Sequence, residues 1–412
     1  MRDVVVIGAG LAGLSAAARL AGAGLSVTLV NQGIGGLSLG QGTIDVMGYS
    51  PELVKSPLKA VDSAAKTHPY SHFTGEEMRK ALLWIKAVMG DNLLAGDGET
   101  NLMLPTAAGV LRPTALAQPS MMNGAPSKDR KYLIVGLKRL KDFYPSLVAE
   151  NLSLYKDEAG ASIAARSAYI DLEVRPGEQD TSAVNFARAL DNAEVRQDLV
   201  MKLAPLVEDG ETVGLPAVLG IKDPLAWWDL EERLGHPIFE IPLPPPSVPG
   251  MRLGEKLLDL VKSKCRVMNG SAITGFESQN GEITAVIAGS AGRATRLEAR
   301  QFVLATGGFE SGGLVMDSYE NVTEPIFGLP VEGQSDEPFN SQYWDSDQAA
   351  FLMGLQVDNE MRPLAGGKPA YPNLRAIGGL LPGATRWREK SGDGIAVISA
   401  LRAADAIGGK DE

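Results

Sequence analysis

DVVVI-GAGLAG-LSAAARLAGAG-LSVTLV, residues Asp3 to Val30, decides the fold. Asp3 to Ile7 is a β-branched apolar run suited to a strand buried on both faces. Leu11, Leu14, Ala17, Ala18 and Leu20 then recur at helical spacing until Gly22 and Gly24 stop the helix, and Leu25 to Val30 reads as a second strand. The result is a βαβ unit of about 30 residues. Its glycines have separate uses: Gly8 for a sharp turn, Gly10 to admit a phosphate to the backbone, Gly13 for close packing of helix on strand. The helix N-terminus adds free N–H groups and a partial positive charge. The run Gly8, Ala9, Gly10, Leu11, Ala12 and Gly13 therefore predicts a flavin or dinucleotide site. Where the second strand ends, such sites usually carry a carboxylate for the ribose hydroxyls, and this chain has Asn31. An amide keeps an acceptor but loses the charge, which leaves the adenosine half of the ligand open.

Outward from this unit, Gly33 to Asp45 (GIGGLSLGQGTID) reads as a backbone cradle, with Gly40, Gly42 and Thr43 facing the ligand. Gly36 to Gly40 also matches GxSxG, but the strand before and helix after that a serine-hydrolase elbow requires are missing. Far along the chain, Arg300 to Ala305 is another buried-strand pattern and runs into Thr306, Gly307 and Gly308. Asn373 to Ile377 meets Gly378 and Gly379, and Gly392 to Gly394 opens a helix beginning at Ile395. These segments place Thr306, Gly307, Gly308, Gly379, Gly394 and Ile395 in the same cofactor set. The last helix is expected to aim its N-terminus at the ring, a dipole contribution of about 0.3 to 2 kcal/mol. The middle of the chain differs: helices over Glu76–Val88, Asp142–Asn151 and Leu225–Leu234, a strand at Lys131–Gly136, and an extended Leu243–Pro249. The expected fold is α/β: a Rossmann-like flavin-binding domain built from both chain ends (1–50 plus 250–412), with an inserted α+β cap domain at 51–249.

Composition narrows the partners. The 412 residues include 39 Lys plus Arg and 50 Asp plus Glu, a net charge of −11, with no basic cluster, so nucleic acid is not an expected partner. One cysteine, Cys265, and three histidines exclude an internal disulfide and an internal iron–sulfur cluster, and no metal site is expected. Clusters, if electrons pass through them, belong to another protein. A reducing cytoplasm fits the single thiol. The apolar run Val4–Ala18 is punctuated by three glycines and ended by Arg19, too early for a bilayer span, and a secretory leader is the lesser reading. Among side chains that could act, His68 could serve as a base and Arg362 could bind a phosphate or a reduced flavin; neither pattern separates those roles from structural ones. Trp227 and Trp228 are read as core or interface, and Arg386, Trp387 and Arg388 as a loop before the last helix.

Several stretches resemble the B-subunit family of the anaerobic glycerol-3-phosphate dehydrogenases, within the wider fumarate-reductase-like flavoprotein group. The carriers are Gly8–Gly13, His68 to Ser71 (HPYS), Tyr132 to Phe143 (YLIVGLKRLKDF), Val184 to Asn192, Pro245 to Val248, Gly250 with Arg252 and Leu253, Ser311 to Val315, Glu324 to Ile326, and Arg362-Pro363. The resemblance implies one component of a quinone-linked complex oxidising sn-glycerol 3-phosphate to dihydroxyacetone phosphate. It implies two partners: an A subunit, the catalytic flavoprotein with the main substrate site, and a cysteine-rich C subunit that carries iron–sulfur clusters at the cytoplasmic face of the membrane. This chain would lie in the cytoplasm, peripheral to the membrane. The cofactor implied is FMN, with FAD as the alternative; Asn31 agrees with a ligand lacking adenosine. Two other readings stay open: an independent flavin dehydrogenase for another small acid, and a scaffold that keeps the fold without the chemistry.

Overall fold

The computed structural model of the chain describes residues 1–127, 130–156, 162–290, 292–342 and 346–409. The elements used below are, in chain order, β1 (Arg2–Ile7), α1 (Leu11–Gly22), β2 (Val27–Val30), β3 (Lys131–Leu137), β4 (Ala164–Ile170), β5 (Glu211–Pro216), α2 (Ala226–Leu234), β6 (Ile238–Ile241), β7 (Arg266–Met268), β8 (Ala272–Gln279), β9 (Glu282–Ser290), β10 (Arg293–Leu304), β11 (Leu374–Ala376) and α3 (Gly392–Gly408). They fall into two compact units. The first holds Met1–Gly36, Asp45–Ile85 and Lys256–Glu412; the second holds Leu37–Ile44 and Lys86–Glu255. The boundaries differ from the expected 51–249: residues 51–85 join the first unit, and Leu37–Ile44, from the glycine-rich segment, joins the second. That short segment pairs Ile44 with Leu116, which a reading of glycine content cannot reveal.

In the first unit a parallel layer runs β7-β2-β1-β10-β11. Val5 stands opposite Phe302 and Thr28, and Phe302 opposite Leu374, so the first strand of the chain is the centre of a layer completed by late strands. β10 serves two sheets in turn. Its first part alternates exposed residues with inward ones, of which Leu297 and Ala299 are buried, and pairs antiparallel with β9, which pairs with β8; its end, Phe302 to Leu304, is buried throughout and lies between β1 and β11. The change from alternation to continuous burial follows from one solvated face giving way to two covered ones. α1 covers the layer, and α3 packs on it: Ala16 and Ala17 of α1 and Ala400 and Ala403 of α3 are fully buried. Such small side chains let the helix axes approach closely. Ser399 Oγ accepts a 3.0 Å bond from the Gly378 N–H, fixing the last helix to the loop after β11.

The second unit has its own sheet, β6-β5-β3-β4, and every pairing is parallel. The sheet is therefore of α/β rather than mixed type, a refinement of the α+β cap expected. The connections from β3 to β6 carry helices, as parallel crossovers require. Its core includes Tyr132, Phe186 and Phe239, with the Tyr132 and Phe239 rings edge to face at 5.2 Å. The loop beyond β5 is pinned by Arg252, which donates to the Leu219 and Gly220 carbonyls at 3.0 and 2.8 Å and forms a bidentate pair with Glu240 at 2.6 and 2.9 Å. The expected helix at Asp142 starts instead at Pro145, where a missing N–H costs nothing. The expected extended run to Pro249 gives way to helix at Val248.

Candidate functional site

The carboxyl ends of β1, β2 and β10 meet at one edge. The Gly8 N–H donates to Val30 O at 2.8 Å and the Ala305 N–H to Ile7 O at 2.8 Å. Gly8 has φ +112°, a backbone that L side chains rarely adopt. A methyl group on Gly13 would lie 2.0 Å from the Gly8 carbonyl oxygen, so this glycine sets the distance of helix from strand. Gly10 differs. It precedes α1 as an N-cap with no side-chain bond, and a methyl there would meet nothing within 4 Å. The start of α1 thus presents main-chain N–H groups to open space, which suits a phosphate.

Two buried acceptors at this edge have no partner. Asn31 follows β2; its main-chain N–H donates to Met268 O and its carbonyl accepts from the Ser271 N–H, yet Oδ1 is unpaired. Thr306, following β10, leaves Oγ1 unpaired. Buried polar atoms are nearly always satisfied, so each of these fits a ligand hydroxyl, phosphate or ring heteroatom. Gly307 and Gly308 lie against Gly379: a methyl on Gly379 would stand 3.0 Å from the Gly308 nitrogen. Gly378 closes on Ala12 at the start of α1, 2.7 Å from methyl to Cβ. The structure therefore brings Gly8 to Gly13, Asn31, Thr306 to Gly308 and Gly379 together. Arg386 opens a short helix, Arg386–Glu389, where the sequence predicts a loop, and reaches the same place, with Nη2 on Glu310 at 2.8 Å and Nη1 buried without a partner.

Other expected members are engaged within the protein. Gly40, Gly42 and Thr43 belong to the second unit. There the Gly40 N–H donates to Leu37 O at 3.1 Å, and a methyl on Gly42 would fall 2.3 Å from Pro249 Cβ, so that glycine serves packing. Thr43 Oγ1 accepts from Arg112 at 3.3 Å. At the start of α3, the Gly394 N–H donates to Asp45 O at 2.8 Å and the Ile395 N–H to Ser391 O at 3.1 Å. Both amides are used within the protein, and Gly394 is small because Tyr70 Oη would lie 2.4 Å from a methyl there. The expected aim of these amides at the ring gives way to a packed joint.

His68 belongs to that joint. Its Nδ1 accepts the Tyr70 N–H at 3.0 Å, which leaves Nε2 to carry the proton and donate to Glu389 Oε2 at 3.1 Å. Both nitrogens are engaged within the protein, so the ring fastens two segments together. Burial pushes the Glu389 carboxyl up, but the bonds from His68, Ser391 Oγ and the Thr385 N–H outweigh it and hold the group below the usual carboxylate range. The Tyr70 hydroxyl donates to Val46 O at 2.7 Å and Ser391 O at 3.1 Å, and burial raises its pKa well above the ordinary phenol value. Glu389 was not singled out in the sequence, and Tyr70 only as part of the HPYS stretch; the bonds from His68 to Glu389 and from Tyr70 to Ser391 each span 321 residues of the chain. Arg362 pairs with Asp358 at 2.7 Å and Glu360 at 3.3 Å, closing its own turn rather than opening a fork for phosphate. Trp228 is about half exposed on α2, while Trp227 packs on the second unit's core.

Comparison with known proteins gives the family. Residues 3–395 match the FAD binding domain family. The chain is 31% identical to a Halobacterium salinarum protein named as the probable B subunit of anaerobic glycerol-3-phosphate dehydrogenase, over 98% of this chain and 97% of that one. It is 32% identical to the B subunit of the anaerobic glycerol-3-phosphate dehydrogenase of Pectobacterium carotovorum, over 98% of each. Among solved structures, the open conformation of a flavocytochrome c3 fumarate reductase is similar at 10% identity, covering 99% of this chain and 78% of that one with a TM-score of 0.45. The chain belongs to the FAD binding domain family and, within it, to the B-subunit family of the anaerobic glycerol-3-phosphate dehydrogenases.

Proposed function

We propose that this chain holds FAD and acts as the flavoprotein B subunit of a complex that oxidises sn-glycerol 3-phosphate to dihydroxyacetone phosphate. The observation that carries the cofactor is the uncapped start of α1 opposite open space at Gly10, flanked by two buried, unpartnered acceptors. FAD is preferred to FMN because Asn31 Oδ1 stands at the end of β2, where a ribose hydroxyl of an adenosine half would complete its bonding. The bound flavin supplies an acceptor that is stable with zero, one or two electrons. The chain's own contribution is position: α1 amides on the pyrophosphate, Asn31 on the ribose, and the flat glycine backbone of Gly307, Gly308 and Gly379 beside the ring.

Oxidising the secondary alcohol releases two electrons and two protons, and reducing a quinone takes up the same number. The single thiol of this chain cannot hold clusters between the two, so a cysteine-rich C subunit is the expected relay, beside a second flavoprotein, the A subunit. No helix among the described residues is long and apolar enough to cross a membrane; a peripheral place on the cytoplasmic face, through partners, is part of the proposal. The test is to coexpress the three subunits, release the ligand from this chain and weigh it, then add glycerol 3-phosphate and a quinone. FAD by mass and substrate-dependent bleaching that quinone reverses are the expected results. A colourless chain that still assembles would replace this reading with that of a scaffold.

A further inference from the structure

The sheet of the second unit, β6-β5-β3-β4, ends in two strands of opposite character. β6 is buried throughout, and Asn123 Nδ2 donates to its Ile238 O at 3.1 Å. In β4, by contrast, Ala164, Ser167 and Tyr169 are exposed. The strand pairs with β3 from Ala164 to Ile170 without a register shift and contains neither Pro nor Lys, so the devices that usually blunt an open edge are missing. The Lys138 N–H, just beyond β3, donates to Ile170 O at 2.9 Å, so the even-numbered residues of β4 turn their main chain towards β3. Ala165, Ser167 and Tyr169 turn theirs outward. Among the described residues, the one bond on these outward groups is from Ser153 Oγ to Ala165 O, at a long 3.4 Å. The larger side chains leave the edge clear. Arg166 reaches back across the sheet to Glu211 at 2.6 Å, and the Tyr169 ring lies over Gly136, where a methyl would stand 2.8 Å from Cε1.

We infer that this edge pairs with the same edge of a second copy of the chain, antiparallel about a two-fold axis at Ser167, so that the two four-stranded sheets become continuous. The strand is its own complement in that register. The axis sets Ala164 opposite Ile170, Ala165 opposite Tyr169 and Arg166 opposite Ala168, so each large residue meets a small one. The outward main-chain groups of Ala165, Ser167 and Tyr169 then face one another and can exchange both N–H···O bonds at each pair. Arg166, the one charge in the strand, is matched by Glu211 of its own copy, so the edge brings no like charges together. An axis at Arg166 would set the two guanidinium groups face to face, and one at Ala168 would set Ile170 against Arg166. A foreign strand would have to match these sizes independently, whereas a second copy does so by symmetry. This inference does not depend on the cofactor reading.

The test is sedimentation equilibrium of the full chain, alone and coexpressed with its partners. The parent is expected to form a reversible dimer. Ser167→Pro removes only the outward N–H at the axis and should raise the dimer dissociation constant at least about tenfold, since two bonds are lost per dimer. Ser167→Lys places two ammonium groups at the axis and should leave a monomer with the circular dichroism spectrum of the parent. Ser167→Cys should cross-link two copies under mild oxidation, because facing residues of such a pair stand about 5.5 Å apart at Cα. The parent, whose one thiol is Cys265, should not. A parent that is monomeric both alone and in the complex overturns the inference, as does a dimer that survives Ser167→Lys. Loss of another subunit from a complex holding a single copy, on Ser167→Lys, would overturn it too and give the edge to that subunit.

Discussion

Arg19 Nε lies 2.8 Å from Asp405 Oδ1, an ion pair joining the first helix to the last across 386 residues of sequence. Both side chains are partly exposed, so the pair itself is worth little. Arg19→Ala should cost under about 1 kcal/mol in urea unfolding. Gly378→Val, by contrast, puts a branched side chain at φ +69° and against Ala12, and should cost about 2 kcal/mol or more. Equal costs would mean that charge, not close packing, joins the chain ends.

Gly10 and Gly13 are expected to fail differently. Gly10→Glu adds a carboxylate in open space, so the protein should fold with the melting transition of the flavin-free parent but lose its visible flavin absorbance. Gly13→Ala drives a methyl into the Gly8 carbonyl and should lower the melting transition as well. Flavin retained by Gly10→Glu would move the phosphate away from α1.

Asn31→Asp restores the charged acceptor usual at the end of the second strand. If the ligand is FAD, the variant should retain it more tightly during dialysis, on the order of a few-fold, since a charge-assisted bond is roughly twice a neutral one. An unchanged dissociation rate is the result expected of FMN, which has no adenosine ribose.

Against the upward push of burial, bonds from His68, Ser391 and the Thr385 N–H favour the charged form of Glu389, and its carboxyl titrates below its unfolded value. Its contribution to stability is therefore complete above the usual carboxylate range and fades as pH falls through the lowered value. Glu389→Gln should flatten the acid limb of the stability profile and loosen the joint at the start of α3. Thermal unfolding across acid pH reads both.

Arg252 and Glu240 are almost wholly buried in the second unit. Arg252→Met leaves the buried Glu240 without its cationic partner, with only the Leu219 N–H still donating to it, and should cost about 3 to 5 kcal/mol. Arg252→Met with Glu240→Leu should recover much of that loss, as measured by denaturant midpoints. No recovery would show that the bonds to Leu219 and Gly220, rather than the ion pair, hold the loop beyond β5.

Short-range pattern was enough for β1, α1, β2, the turn at Gly8 and the close packing at Gly13, because strand periodicity, helix spacing and glycine turns act over a few residues. It also pointed to the late strands, whose apolar runs and glycine ends repeat the same signal at Phe302 and Leu374. Only folding settled which glycines face open space and which face another segment of the chain. Gly42 and Gly394 look like Gly10 in the sequence, yet Pro249 and Tyr70 occupy the space beside them. The engagement of His68 by Glu389 and the all-parallel sheet of the second unit were hidden for the same reason: both depend on groups brought near by folding, and spacing along the chain carries no record of them.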